Sequence, residues 1–229
     1  MAVQKKIRFL NHLWDKESGL GGMFFLLAIM HFIIVPVFSS YASFMVVINV
    51  FWMLLLFSGI FSLAKDKKQG LKISIIPTLF VLFNWINVFD ENPFIVFTDT
   101  VFTIGTLVLL VILVLIKVFE PGPITKYRIA GSIVVYMLLA NIWAVVYLYL
   151  YEHIEGAFQL TLPAFESNTL HANFMYFSYI TITTTGFGEI VPLHPIARAF
   201  VQVEAFVGVL YPVILIGRLV SDAAAIKQE

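Results

Sequence analysis

Long apolar runs, each about as long as a membrane-crossing helix, alternate along this chain with short polar connections. A helix needs about 20 mostly apolar residues to cross a hydrocarbon core of about 30 Å. The pattern predicts a series of such spans, nearly free of charge. They are Gly21–Tyr41, Phe44–Ala64, Ile73–Phe89, Val96–Ile116, Ile129–Tyr151 and Ala197–Gly217. Because these runs are apolar throughout, they disfavour an outer-membrane barrel, whose strands alternate apolar and polar residues.

A shorter apolar and aromatic segment, Ala172–Thr183, lies between the fifth and sixth predicted spans. It is too short to cross a bilayer, so it predicts a re-entrant helix or a buried turn. Non-helical backbone at membrane depth is tolerated only where it lines a wet cavity or is buried in protein. The residues that follow this segment are therefore the first place to look for function.

The composition supports a membrane protein. Hydrophobic residues make up 60% of the chain and charged residues 12%, against about 45–50% and about 25% in soluble domains, which excludes an ordinary cytosolic enzyme. Basic and acidic residues balance at 14 each, so no basic excess indicates nucleic-acid binding. Cysteine is absent, which excludes disulfides and thiolate metal sites.

The positions of the basic residues predict the orientation. All of the Lys and Arg except Arg198 fall before the first span, in the second or fourth connection, or after the last span. Cytoplasmic loops carry the excess of basic residues, so both termini are expected in the cytoplasm, in a plasma membrane or a bacterial inner membrane. A cleaved signal peptide is the alternative for the first span, and the full span length disfavours it.

The short segment runs into Thr183–Glu189, with the sequence TTTGFGE. Glycines on either side of one residue permit alternating backbone conformations that a Cβ would resist. Such a strand turns successive carbonyls to one side, and copies around an axis form oxygen rings that replace the hydration shell of a cation. A Thr- and Gly-rich turn between two helices is the alternative. The position between two spans, on the acidic outer side, favours the ion-binding interpretation.

This run resembles the T-T-V-G-Y-G-D signature of tetrameric potassium channels, in which G-F-G is a common variant. Tyr176-Phe177 resembles the paired aromatics of that family's pore helix, and Glu204 with Gly208 resembles its L-E-G-L-L-G segment. The resemblance covers the chain from the fifth span onward, and the first four spans match only in number. It implies an all-α membrane protein of six transmembrane helices, with a re-entrant pore helix and filter between helices five and six.

The resemblance also implies passive, potassium-selective conduction by a homotetramer in membrane lipid, with K⁺ ions in the filter. No organic cofactor, catalytic residue or nucleic-acid partner is implied. The implied filter residues are Thr184, Thr185, Gly186, Phe187 and Gly188. The carbonyls of the first four hold the ion, and Gly188 caps the outer mouth. Glu189 lies at the outer mouth, and Gly208 corresponds to the flexible point of the inner helix.

Three further residues are expected to brace the filter, namely Tyr176, Phe177 and Glu204. A charge inside a span is a functional candidate, and the alternative for Glu204 is a protonated, buried acid without a gating role. Pro212 interrupts the last span and is either a hinge or a static kink. His31 and Asn141 are expected to join helices through hydrogen bonds.

Two departures from the family pattern leave a second function open. Phe187 replaces the usual Tyr and lacks the hydroxyl that anchors the filter, and Thr185 replaces the usual Val. A weakly selective monovalent cation channel is therefore the alternative. A membrane enzyme or a coupled transporter is a third hypothesis, disfavoured because the spans show no metal-binding or paired-carboxylate motif and no inverted repeat.

The gating apparatus differs from that of voltage-gated relatives. The fourth span contains no Arg or Lys, so an arginine-based voltage sensor is not expected. The connection Glu120–Thr125 is short and contains two prolines, which predicts that each four-helix bundle packs beside its own pore subunit. The expected domains are a cytoplasmic segment 1–20, the bundle 21–118, a cytoplasmic linker 119–128, the pore domain 129–217 and a cytoplasmic tail 218–229.

Overall fold

Helices dominate the described part of the chain. The computed structural model describes residues 18–39, 41, 44–63, 78, 93–120, 125–161 and 169–226. The third expected span, Ile73–Phe89, lies outside these residues apart from Thr78, as does most of the cytoplasmic segment 1–20.

The elements follow one another in the order expected for consecutive spans. The helices are α1 (Ser18–Ile29), which continues through a π-helical turn (Met30–Ile34) into α2 (Val35–Phe38), α3 (Phe44–Leu63), α4 (Pro93–Val118), α5 (Lys126–His153), α6 (Leu170–Ile182) and α7 (Pro195–Ile226). Two short strands, β1 (Phe158–Leu160) and β2 (Ile190–Pro192), pair antiparallel on either side of α6 in the sequence.

Four stretches among the described residues are long and apolar enough to cross a membrane. They are Gly19–Phe38, Phe94–Val118, Lys126–His153 and Pro195–Arg218, and they fall on the first, fourth, fifth and sixth expected spans. The 20-residue helix α3 lies on the second expected span. The prediction of an all-α membrane protein is thereby confirmed in its class, with β1 and β2 as a small departure from it.

Two boundaries differ from expectation. Helix α5 begins at Lys126 rather than 129, because the Thr125 hydroxyl accepts the Arg128 N–H at 3.3 Å and caps the first turn. The connection between α4 and α5 is therefore shorter than 119–128. Helix α7 continues past Gly217 to Ile226, so most of the expected tail, 218–229, is helical and continuous with the last span.

Helices α1 and α4 pack against α5 of the same chain. Leu20, Leu110 and Leu138, from α1, α4 and α5, are fully buried in one apolar core. At Gly131 the three helices come close together. A Cβ there would lie 2.9 Å from Val118 Cγ2 and 3.1 Å from Leu20 Cδ1, so glycine permits the close approach.

A second, aromatic core surrounds α6. Its large side chains meet edge to face with ring centroids 5.2 to 6.4 Å apart, a favourable arrangement for aromatic rings. They are Tyr147, Phe158, Phe174 and Phe177. This core fixes the short helix against α5 and β1, and thereby positions the residues that follow its C-terminus.

Candidate functional site

Helix α6 ends in a tight turn, and the TTTGFGE run begins at this turn. The helix has 13 residues, which gives a length of about 20 Å at 1.5 Å per residue, too short to cross a bilayer. Beyond it, the N–H groups of Thr185 and Gly186 both donate to Ile180 O, at 2.8 and 3.1 Å. Shared bonds of this kind satisfy carbonyls at a helix C-terminus and let the chain leave the helix axis.

The backbone of this run alternates between two conformations. Thr184, Gly186 and Gly188 have φ values of +59°, +52° and +92°, and the residues between them have negative φ. Glycine accepts positive φ freely, whereas a β-branched residue such as Thr184 is an outlier there and costs about 1–3 kcal/mol. Strain of this kind persists where the surrounding structure enforces it and is concentrated at functional sites.

The run lies on the outside of the single chain. Every residue from Thr183 to Gly188 is exposed, and the Phe187 ring is 71% exposed. The five residues expected to form the filter are therefore brought together as one exposed, irregular strand.

The residues after Gly188 are held by the short sheet. Strand β2 pairs with β1, and the Glu189 carbonyl accepts both the N–H and the hydroxyl of Thr161, each at 2.9 Å. The Tyr176 hydroxyl donates to the Glu189 carboxylate. This bond, with the charge of the carboxylate, raises the pKa of Tyr176 to about 12. Glu189 thus joins the outer end of the run to α6.

The two aromatics expected to brace the filter face opposite ways. Phe177 is buried in the aromatic core, whereas Tyr176 is 43% exposed and reaches Glu189. One side chain therefore anchors α6 to the protein behind it, and the other contacts the outer end of the run.

Glu204 lies directly behind α6. The side chain is fully buried, and its carboxylate accepts hydrogen bonds from the Ser178 hydroxyl of α6 and the Tyr147 hydroxyl of α5. Ser178 also lies 2.7 Å from Ala140 O. A buried carboxylate needs such partners, because an unpaired one is very costly. Ser178 and Tyr147 do not stand out in the sequence, because both lie on helices that carry other polar side chains.

A third contact fixes the C-terminal end of α6. The Tyr136 hydroxyl of α5 donates to Ile182 O at 2.7 Å and lies 3.4 Å from Gly208 O of α7. A Cβ on Gly208 would lie 2.0 Å from Ile182 O. Gly208 is therefore required for close packing between the last helix and the base of the run. That it is also the flexible point of this helix stays a prediction.

Helix α7 is assigned as one continuous helix through Pro212. The Tyr211 hydroxyl, next to this proline, donates to Ser132 O of α5 at 2.8 Å, and its ring stacks on Tyr136 with centroids 5.8 Å apart. The region around Pro212 is thus held against α5.

Comparison with known proteins supports the same region as the functional one. Residues 129–223 match a family model described as an ion channel. The matched range begins in α5, ends in α7, and contains α6 and the whole TTTGFGE run. Neither the curated proteins nor the solved structures gave a match to the chain.

The family match indicates an ion-channel domain within residues 129–223, and so points to transport. Together with the apolar helices it indicates a multi-pass membrane protein.

Proposed function

We propose that this protein is the subunit of a potassium-selective channel in which Thr184, Thr185, Gly186 and Phe187 bind the ion through their carbonyls and Gly188 caps the outer end. The alternation of positive and negative φ across 184–188 carries this proposal. Reversal of φ at every second residue turns consecutive carbonyls to the same side, where they take the place of the water around a dehydrated cation.

The supports of α6 favour an ion-binding role over a simple turn. The backbone that follows α6 is strained at Thr184. The Glu189 side chain connects its outer end to Tyr176, and the Tyr136 hydroxyl binds its inner end at Ile182 O. In a selectivity filter, such supports preserve the positions of the ion-binding oxygens. The short helix then corresponds to a re-entrant pore helix.

A ring of carbonyls requires several copies of the run, and the chain contains one. Identical subunits arranged by closed cyclic symmetry supply the others, so the proposed assembly is a homotetramer in membrane lipid. The exposure of Thr183–Gly188 in the single chain supports it, because these residues then face a shared axis.

The bundle is proposed to pack beside its own pore subunit, as the contacts of α1 and α4 with α5 at Gly131 support. Helix α4 carries Lys117 in its last turn and no arginine, so the proposed channel opens without an arginine-based voltage sensor. The basic residues favour both termini in the cytoplasm, across a plasma membrane or a bacterial inner membrane.

Reversal-potential measurements on the reconstituted protein test the function. With K⁺ on one side of a planar bilayer and equimolar Na⁺ on the other, the expected reversal potential is far from zero and has the sign that opposes K⁺ flow towards the Na⁺ side. The matched variants are Gly186→Asp, expected to abolish selective current, and Gly22→Ala, an exposed helical position in α1 expected to behave as wild type. Native mass spectrometry in detergent tests the tetramer, and a monomer or dimer that still conducts would contradict it.

A weakly selective cation channel is the second candidate, because Phe187 lacks a hydroxyl that anchors the filter to α6. In that case the current remains, but the reversal potential lies near zero. Absence of any current in protein of the correct mass would contradict both candidates.

A further inference from the structure

The first membrane helix contains an irregular turn at a buried histidine. Between α1 and α2 the chain forms a π-helical turn over Met30–Ile34, in which the Val35 N–H donates to Met30 O. Turns of this type occur frequently at functional sites. His31 lies in this turn and is only 9% exposed, in a part of the chain that the ion-channel match does not include.

The hydrogen bonds of His31 assign its ring atoms. Nδ1 lies 2.7 Å from Leu27 O, and since a carbonyl can only accept, Nδ1 carries the hydrogen. Nε2 of the neutral ring is then an acceptor. The Asn141 amide nitrogen on α5 lies 3.0 Å from Nε2 and 2.7 Å from Met137 O. Its two hydrogens are therefore directed to these two acceptors, and the amide joins α1 to α5.

The Asn141 carbonyl oxygen also lies 3.1 Å from His31 Nε2, so both polar atoms of the amide are close to the ring. The Tyr179 ring of α6 contacts the His31 ring edge to face, with centroids 5.0 Å apart. The Tyr179 hydroxyl is buried and makes no hydrogen bond of standard geometry to the described residues. His31, which is hydrogen-bonded to Asn141, therefore packs against the Tyr179 ring.

Tyr179 is also directly connected to the start of the filter. Its carbonyl accepts both the N–H and the hydroxyl of Thr183, at 3.2 and 2.7 Å. Thr183 immediately precedes the strained residue Thr184. A shift of Tyr179 along or across α6 therefore moves the residue that leads into the ion-binding run.

We propose that His31 and Asn141 are positioning residues of the pore. They fix the position of the Tyr179 ring, and Tyr179 in turn fixes the position of α6 and of the filter entrance. The first membrane helix then acts on ion conduction, although it lies outside the matched channel domain. This inference rests on the proposed channel function.

Paired substitutions test the proposal in single-channel recordings from reconstituted protein. His31→Leu and Asn141→Leu each remove the bond between α1 and α5. Interhelical hydrogen bonds in membranes contribute about 0.6 kcal/mol on average, so each variant is expected to change the ratio of open to closed time by about threefold for each subunit. Because both remove the same bond, the double variant is expected to change this ratio no more than either single one.

Two controls separate positioning from packing. His31→Gln keeps an acceptor and a donor at the same place and is expected to restore the wild-type ratio. Phe32→Leu changes the neighbouring side chain in the same turn, which is 72% exposed, and is expected to have no effect. If His31→Leu lowers only the melting temperature and leaves the open-to-closed ratio and the reversal potential unchanged, the residue serves packing alone and the proposal is wrong.

Hydrogen exchange distinguishes failure of this proposal from failure of the channel function. Amide exchange across residues 170–188 is expected to be faster in His31→Leu than in wild type or Phe32→Leu, whether or not the protein conducts K⁺. Without current, this difference would uphold the positioning of α6 and reject the channel. Equal exchange in all three proteins would reject the positioning.

Discussion

The Ser178 hydroxyl on the short helix donates to the carboxylate of Glu204, which is fully buried in the last helix. The Tyr147 hydroxyl from α5 donates to the same carboxylate. The Glu204 side chain of α7 therefore joins α5 and α6 behind the TTTGFGE run. Loss of one of these bonds leaves part of a buried acceptor unsatisfied.

Ser178→Ala tests this relationship. The substitution removes a donor from a buried carboxylate, and we expect it to lower the free energy of unfolding by about 1–3 kcal/mol. Ser132→Ala is the matched control, because the buried Ser132 hydroxyl only returns to Arg128 O one turn earlier in its own helix. Thermal unfolding in detergent measures both. An equal loss in the two variants would show that the bond to Glu204 has no special role.

The sequence predicts those features of this site that depend on residues close together along the chain. The apolar run predicted the short helix at Ala172–Thr183, and the structure has Leu170–Ile182, because length and hydropathy are local properties. The sequence also predicts the TTTGFGE run, because its glycines and threonines are adjacent along the chain.

The partners of Glu204 follow from tertiary packing, which a single sequence does not reveal. Tyr147 and Ser178 lie 57 and 26 residues from it along the chain, and only the burial of a charge indicated that donors were needed. Strands β1 and β2 have three residues each, too few to show a two-residue periodicity. The π-helical turn around His31 likewise has no distinctive composition.

Gly208→Ala should displace the last helix from the base of the filter. The added Cβ would lie 2.0 Å from Ile182 O and 2.8 Å from Ile182 C, and backbone atoms at a helix end cannot move aside as a side chain does. We expect loss of selective current and a lower melting temperature. Gly217→Ala, where nothing lies within 4 Å of the added Cβ, is the control in the same helix. A conducting, fully stable Gly208→Ala protein would refute the close packing at this point.

Tyr176→Phe should reduce the loss of stability that the wild-type protein shows at alkaline pH. The pKa of Tyr176 is raised from 10.0 to about 12 chiefly because its hydroxyl donates to Glu189. The folded protein therefore holds this proton more tightly than the unfolded chain, and the stabilisation is fully present below pH 10 and lost as the pH rises towards 12. Melting temperatures between pH 8 and about pH 12 measure this, and the wild type should lose more stability than the variant. Parallel curves would show that the bond is not formed.

Gly186→Ala and Thr184→Gly should change the backbone strain of the filter in opposite directions. A Cβ at Gly186 meets nothing within 4 Å, so Ala there is penalised only through its φ of +52°, at about 1–2 kcal/mol per subunit. We expect this variant to lose selectivity for K⁺ over Na⁺, since relaxation of φ turns a carbonyl away from the ion. Thr184→Gly relieves the strain at a φ of +59° but deletes the hydroxyl, so we expect a more stable protein that selects K⁺ less well. Unfolding in detergent and the reversal potential with K⁺ opposite Na⁺ measure the two effects separately. If both variants lose stability equally, positive φ is not the conformation that the run adopts in the assembled channel.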